Sequence, residues 1–161
     1  MNVTDIKALI FQKSSDLFRG RFESLSSAEI GDPIEMFDDE EIQRFWFTGL
    51  FRKKRVVGRI IQDLSGKIVL HGFVTPNVSS EEERIEEGFL KEPPEKIIAA
   101  INKTYPDGIL VSQFFSFDKV PQKWGWLIKF KKNDKKNTQF FIAPNGWHEL
   151  RSSNKNSTSE G

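Results

Sequence analysis

The sequence predicts an α+β fold built on a largely antiparallel sheet. Two groups of segments rich in β-branched and aromatic residues have the composition of strands, and short polar stretches that suit turns divide each group. Segments with apolar residues at helical spacing precede the first group and separate it from the second. This order predicts an N-terminal helix, a three-stranded antiparallel meander, one or two helices and a second three-stranded antiparallel unit.

The first residues of the chain predict the N-terminal helix. Thr4 and Asp5 suit its start, and Gly20 suits its end. Apolar side chains recur at helical spacing between these points: Ile6, Leu9, Ile10, Leu17 and Phe18. The following segment, residues 23–35, is rich in Ser, Gly, Asp and Pro and predicts a loop.

The first strand group predicts a meander of three strands, RFWFTGLF, RVVGRIIQ and KIVLHGFVT, within residues 44–75. Asp63, Ser65 and Gly66 suit a hairpin turn between the second and third strands. The connection RKKR, residues 52–55, contains no Gly, Pro or Asn. The sequence therefore leaves open how the first two strands are joined.

The segment between the two strand groups predicts one or two helices. Ser79 and Ser80 each precede a glutamate by three residues, which is the spacing of a capping box. Pro93 and Pro94 break such a helix, and Pro94 suits the first position of another. The second helix carries one apolar stripe: Ile97, Ile98, Ile101 and Tyr105.

The second strand group consists of ILVSQFFSF, GWLIKFKK and TQFFIA, within residues 109–143, and WHEL at 147–150 suits a further short element. ILVSQFFSF is apolar on much of both faces, which predicts a central strand. In GWLIKFKK, Trp126, Ile128 and Phe130 alternate with Leu127 and lysines and are predicted to point into the core. We expect one curved sheet or a half-barrel, with the helices on one face.

Composition limits the class of protein. The chain has 161 residues, which predicts one domain over residues 1–150, and the polar residues 151–161 predict a disordered tail. It contains no cysteine, which excludes disulfides and thiolate metal sites. The N-terminal residues lack both a basic n-region and a long apolar run. We therefore expect a cytoplasmic protein that does not bind a membrane.

No catalytic signature is present. His71 and His148 are the only histidines, and His148–Glu149 lacks the second histidine of a zinc-protease helix. No nucleophile elbow, phosphate-binding loop or calcium loop occurs in the sequence. We predict a protein that is not an enzyme, with no cofactor and no metal. A hydrolase, if this is one, would use His71 or His148.

Aromatic and basic residues supply the candidate binding site. Each buried aromatic ring removes roughly 150–250 Å² from water, so most of the 15 Phe and four Trp residues must lie in the core. The first core candidates are Phe45, Phe47, Phe114, Phe117, Phe130, Phe140 and Phe141. Trp124 and Trp147 each follow a polar loop, which predicts that both lie at a rim, with Trp124 more exposed than Trp126.

Charge is segregated along the chain despite a net charge of only +1. Six acidic residues lie in 32–41, six basic residues in 44–59 and seven lysines in 119–136. The predicted partner-binding residues come from two basic segments and the two rim tryptophans: Arg52, Lys53, Lys54, Arg55, Trp124, Lys131, Lys132, Lys135, Lys136 and Trp147.

These residues favour a non-catalytic binding module that recognises a protein partner, as an adaptor, inhibitor or assembly factor does. One alternative is a single-stranded nucleic-acid-binding protein, in which the lysines neutralise phosphates and Trp124 stacks on bases. The near-neutral net charge counts against that alternative. A further alternative is a small-molecule pocket in an aromatic-lined half-barrel around Trp46, His71 and Trp126.

Overall fold

The computed structural model describes residues 1–17, 28–73, 85–132 and 137–150. Within these residues, ten strands form one open mixed sheet that is accompanied by two α-helices, which confirms the α+β class with antiparallel pairing. The predicted helix end at Gly20, the capping boxes at Ser79 and Ser80, and the predicted tail lie outside the described residues. None of the described helices is long and apolar enough to cross a membrane.

The helices are α1 (Val3–Leu17) and α2 (Glu95–Thr104), and a 3₁₀ turn covers Glu87–Leu90. The strands are β1 (Glu29–Ile30), β2 (Ile34–Phe37), β3 (Gln43–Arg52), β4 (Arg55–Asp63), β5 (Ile68–Phe73), β6 (Ile85–Glu86), β7 (Ile109–Phe117), β8 (Trp124–Lys131), β9 (Thr138–Ala143) and β10 (Gly146–Leu150). The WHEL segment is therefore part of a fourth strand in the second unit.

The described middle of the chain contains one α-helix, where one or two helices were predicted. A first helix before Pro93 was expected, but the residues described there form β6 and the 3₁₀ turn. Strand β6 pairs with the start of β4, where Ile85 lies opposite Val56, and this pairing competes with helix formation. Helix α2 then begins after Pro94, and its predicted apolar stripe packs into the core around the buried Ile101.

The helix α1 begins two residues earlier than predicted. Asn2 Oδ1 accepts a hydrogen bond from the Asp5 backbone N–H at 2.9 Å, and Asp5 Oδ2 accepts one from the Asn2 backbone N–H at 3.4 Å. This reciprocal arrangement is a capping box made with Asn and Asp in place of the usual Ser and Glu. Asn2 is therefore the N-cap, and Thr4 lies inside the first turn.

The strands follow the order β10-β9-β8-β7-β2-β3-β4-β5, with β1 beside β3 and β6 beside β4. Strands β2–β5 form one antiparallel meander and β7–β10 form another. The two meanders are joined where β2 and β7 run parallel, and Phe37 and Ser116 are the one residue pair of that ladder. The Ser116 hydroxyl donates a hydrogen bond to the Phe37 carbonyl at the same point.

The sheet bends sharply across this joint. The rings of Phe47 on β3 and Trp124 on β8 have centroids 4.8 Å apart, although these strands are three places apart in the sheet. In a flat sheet that separation would be about 14 Å. The inner faces of the two meanders therefore face each other, and α2 fills the remaining space, with Tyr105 against Phe140 at 5.0 Å.

The two helices lie on opposite faces of the sheet. Ile60 and Ile61 are neighbours on β4 and so point to opposite faces. Ile61 belongs to the inner core with Ile101 of α2, whereas Ile60 packs in a second cluster with Ile10 of α1. The expectation that the helices share one face was wrong. Both faces of β4 are apolar, so α2 packs on one face and α1 on the other.

The predicted core phenylalanines separate into two groups. Phe47, Phe130, Phe140 and Phe141 are buried. Phe45, Phe114 and Phe117 are only partly buried, and all three lie near the joint between the meanders, where they make edge-to-face contacts with other rings. Leu127, expected to alternate outward, is also buried, and it lies opposite the buried Phe141 on β9.

Candidate functional site

The first basic turn, Arg52–Arg55, is a tight two-residue hairpin. Arg52 pairs with Arg55, and the two residues between them have positive φ angles, 51° at Lys53 and 61° at Lys54. Such a turn matches the twist of the flanking strands, but it favours Asn and Gly because other side chains are strained at positive φ. This strain explains why the sequence did not predict the turn type.

The first basic turn is tied to the start of β8. The Glu87 backbone N–H donates to the Lys54 carbonyl at 3.0 Å. Two residues further along, the Phe89 ring lies 5.9 Å from the Trp124 ring, and the Phe89 carbonyl accepts a hydrogen bond from Trp126 Nε1 at 2.7 Å. The segment after β6 therefore holds the turn near the N-terminal end of β8.

The second basic segment follows the opposite end of β8. Lys131 is the last residue of β8, and the exposed Lys132 lies 3.8 Å from Asp107 Oδ2. Lys135 and Lys136 lie outside the described residues. The eight residues of β8 span about 23 Å. The two basic segments are thus associated with different ends of β8.

Trp124 is not the exposed residue that the sequence predicted. Its exposed fraction is 4%, less than the 8% of Trp126. The loop before it is closed by a hydrogen bond of 2.8 Å from the Asp118 N–H to the Lys123 carbonyl, so β7–β8 pairing continues up to Trp124. Its ring then packs on Phe47 in the inner core. Trp147 is partly buried and contacts Phe140.

Trp124 and Trp147 nevertheless line one cleft, which we call the aromatic cleft. It has a volume of about 690 Å³ and lies between the β7–β8 loop and the β9–β10 turn. Its lining residues are Ile85, Asp118, Gln122, Lys123, Trp124, Phe141, Ala143, Pro144, Asn145, Gly146, Trp147 and His148. Ile85 is adjacent to Glu86, which pairs with Arg55, so the first basic turn flanks this cleft.

His148 and Asp118 form a pair at the edge of the aromatic cleft. His148 Nε2 lies 3.3 Å from Asp118 Oδ2, and the imidazole ring stacks obliquely near Phe141 at 6.0 Å. The same two residues also line a second cleft of about 570 Å³ on the outer face of the sheet. Asp118 was not predicted as a site residue, because only the fold brings it close to His148, thirty residues further along the chain.

The acidic turn after β2 is held by its own hydrogen bonds. Asp38 accepts hydrogen bonds from the backbone N–H groups of Glu40 and Ile42 and from Arg44 Nε at 2.7 Å. Burial alone would raise the pKa of Asp38, but these bonds together lower it below its usual value. Lys129 Nζ donates to the Asp39 carbonyl at 2.7 Å, which fixes the turn over the outer face of β7 and β8.

A surface that the sequence analysis missed lies at the other end of the β7–β8 hairpin. Ile109, Leu110 and Val111 are 72%, 43% and 52% exposed, and we call them the apolar edge. In the described part of the chain, β7 pairs with β8 over its whole length, but its other edge pairs only at Ser116. β7 was predicted to be a central strand, but among the described residues its first part is paired on one edge only.

A β-bulge explains why consecutive apolar residues are exposed together. The register between β7 and β8 shifts between Leu110 and Ser112, so Val111 is the extra residue. A bulge re-aims side chains that would otherwise alternate between faces. Ile109 lies directly opposite Lys131, so the apolar edge is bordered by the second basic segment. The run ILV at residues 109–111 was the available signal in the sequence.

Trp46, His71 and Trp126, around which a small-molecule pocket was expected, do not lie together. Trp126 belongs to the inner core, whereas Trp46 precedes Phe47 on β3 and so points to the other face. His71 is exposed on β5, at the far edge of the sheet from His148 on β10. Among the described residues, no group of three or more His, Asp or Glu side chains is placed to hold a metal ion.

Comparison of the chain with protein-family models, with curated proteins and with solved structures finds no match in any of the three.

Proposed function

We propose that this protein is a non-catalytic recognition module, and that its apolar edge binds an acidic segment of a partner protein that also carries apolar side chains. The observation that supports this proposal is that the three consecutive residues of the apolar edge are exposed. They lie on a strand edge that pairs, among the described residues, only at Ser116. Exposed apolar runs are avoided on protein surfaces unless something covers them.

The charges beside the apolar edge select the partner. Lys131 and Lys132 are exposed next to Ile109. Two acidic residues lie nearby: Asp107, whose carboxylate is 3.8 Å from Lys132, and Glu41, which accepts a hydrogen bond from Ser112. An acidic segment would gain from these lysines while its apolar side chains cover the edge. A nucleic acid is less favoured, because the tryptophans expected to stack on its bases lie at the other end of β8 and are mostly buried.

Fluorescence anisotropy with a labelled synthetic peptide of alternating Glu and Val tests this proposal on the full chain. We expect saturable binding that weakens with salt, since exposed charge contacts are screened. A peptide with Ser for Val and a peptide with Lys for Glu should each bind at least about fivefold more weakly, which corresponds to about 1 kcal/mol. Equal binding of the Ser peptide would show that the apolar edge is not used.

Two pairs of variants locate the site. Leu110→Ser with Val111→Ser should abolish peptide binding, whereas Val69→Ser, at an exposed apolar residue of β5, should not change it. Lys131→Glu with Lys132→Glu should weaken binding, whereas the same charge change at the exposed Lys96 and Lys103 of α2 should not. A labelled oligothymidylate that binds more tightly than the peptide would favour the nucleic-acid alternative instead.

A further inference from the structure

We propose that the aromatic cleft is a binding site for a small aromatic acid, that is, a planar ring that carries a carboxylate. The cleft lies at the start of β8, whereas the apolar edge lies opposite its end. The inference therefore stands independently of the proposed function.

The size and rigidity of the cleft suit a small ligand. Its volume of about 690 Å³ falls within the range of about 300–1,000 Å³ that is usual for ligand pockets. One wall is the β7–β8 loop, which is closed by hydrogen bonds from the Asp118 N–H to the Lys123 carbonyl and from the Lys123 N–H to the Val120 carbonyl. The other wall is the tight β9–β10 turn, where Ala143 pairs with Gly146. Walls held in this way lose little freedom when a ligand binds.

The lining of the cleft favours a single ring. Its aromatic residues come from both faces of the sheet: Trp124 and Trp147 contact the inner core, whereas Phe141 and His148, paired on β9 and β10, point to the outer face. Trp124 and Phe141 are almost fully buried, so the ring surface left for a ligand belongs mainly to the partly buried Trp147 and the exposed His148. This limited surface accommodates one aromatic ring, and it lacks the platforms needed to stack successive bases.

The charges of the cleft select an anion. The carboxylate of Asp118 also lines the cleft, and its Oδ2 lies 3.3 Å from His148 Nε2. Lys123 is exposed, and it takes part in none of the ion pairs found in the described part of the chain. Beyond Ile85, the first basic turn adds further positive charge next to the cleft. The ammonium group of Lys123 is therefore the cationic group of the lining to which a ligand carboxylate would bind.

Tryptophan fluorescence provides the test, because two tryptophans line the cleft and simple benzene derivatives do not absorb where tryptophan is excited. The full chain is titrated with phenylacetate and N-acetylphenylalanine, and in parallel with the neutral amide of each. We expect saturable changes for the acids with dissociation constants of about 0.1–1 mM, and at least about fivefold weaker binding of the amides. The absence of saturation with both acids up to about 10 mM, or equal binding of acids and amides, would overturn the proposal.

Two lysines of one loop give a matched pair of variants. Lys123→Gln should weaken acid binding about fivefold or more and leave amide binding unchanged, so that the preference for acids is lost. Lys119→Gln removes the same charge from an exposed position of the same loop that does not line the cleft, and it should leave both affinities unchanged. Both sites are on the surface, and thermal unfolding checks that each variant is folded. Equal loss in both variants would show that the lysines act only through long-range charge and would refute a site at Lys123.

Discussion

The hairpin between β3 and β4 carries two lysines at positive φ, and replacing them with Asn-Gly should stabilise the protein. Lys53 and Lys54 have φ angles of 51° and 61°, a conformation that costs a non-glycine residue on the order of 1–2 kcal/mol. Asn tolerates this conformation better and Gly adopts it without strain. The flanking pairs Arg52–Arg55 and Lys54–Glu87 use backbone groups and are retained.

The expected gain is smaller than the sum of the two strain energies. Glycine also increases the entropy of the unfolded chain, which offsets about 0.4–1 kcal/mol. We therefore expect Lys53→Asn with Lys54→Gly to raise the free energy of unfolding by about 1 kcal/mol, and the midpoint of thermal unfolding by about 2–4 °C for a domain of this size. Urea titration followed by tryptophan fluorescence measures the difference directly.

A second double variant separates backbone strain from charge. Lys53→Gln with Lys54→Gln removes the same two charges, and so the same repulsion with Arg52 and Arg55, but leaves both side chains at positive φ. We expect it to be less stable than the Asn-Gly variant by about 1 kcal/mol. Equal stability of the two variants would refute the argument from strain. If instead the Gln variant is less stable, the two lysines occupy positions that cost stability. Such a cost would point to a functional role for their charge.

Three further predictions concern the packing around the clefts. Gly125→Ala should destabilise the protein by more than about 3 kcal/mol in urea unfolding, because a Cβ there would meet the Ile142 carbonyl oxygen at 2.1 Å, whereas Gly88→Ala should be nearly neutral since its position is open. Trp126→Phe should lower the free energy of unfolding by about 1–2 kcal/mol, because the partly buried hydrogen bond to the 3₁₀ turn is lost. Asp38→Asn should lower the free energy of unfolding at neutral pH. Because the folded-state pKa of Asp38 is depressed, the difference in this free energy between the variant and the wild type should be largest above about pH 4. It should shrink as the pH falls through that pKa.

Most strands of the fold could be predicted from the sequence, because their signals are local. Alternation along GWLIKFKK places Trp126, Ile128 and Phe130 on one face, and all three are buried there. The turn after β4 could also be predicted from its residue types. Asp63 accepts hydrogen bonds from Ser65 and from the Lys67 N–H, and Gly66 has a φ of 91°.

The remaining features depend on contacts between distant residues. Glutamates near residue 85 favour a helix, yet pairing of Ile85 with Val56 forms a strand. Trp124 follows a polar loop, yet the bend of the sheet places its ring on Phe47. The Asp118–His148 pair exists only because β7 and β10 belong to one sheet. Periodicity carries no information about any of these contacts, so the candidate sites could be predicted only as a set of residues, without their grouping.

The joint at Phe37 and Ser116 has a consequence for the order of folding. Each meander is closed by short connections, so its contacts cost little chain entropy to form. The joint connects residues 79 positions apart, and its closure must await ordering of the long segment between them. We expect the two meanders to gain protection from hydrogen exchange as separate cooperative units and to dock late. A substitution that weakens the joint, such as Ser116→Ala, would then accelerate unfolding more than it slows folding.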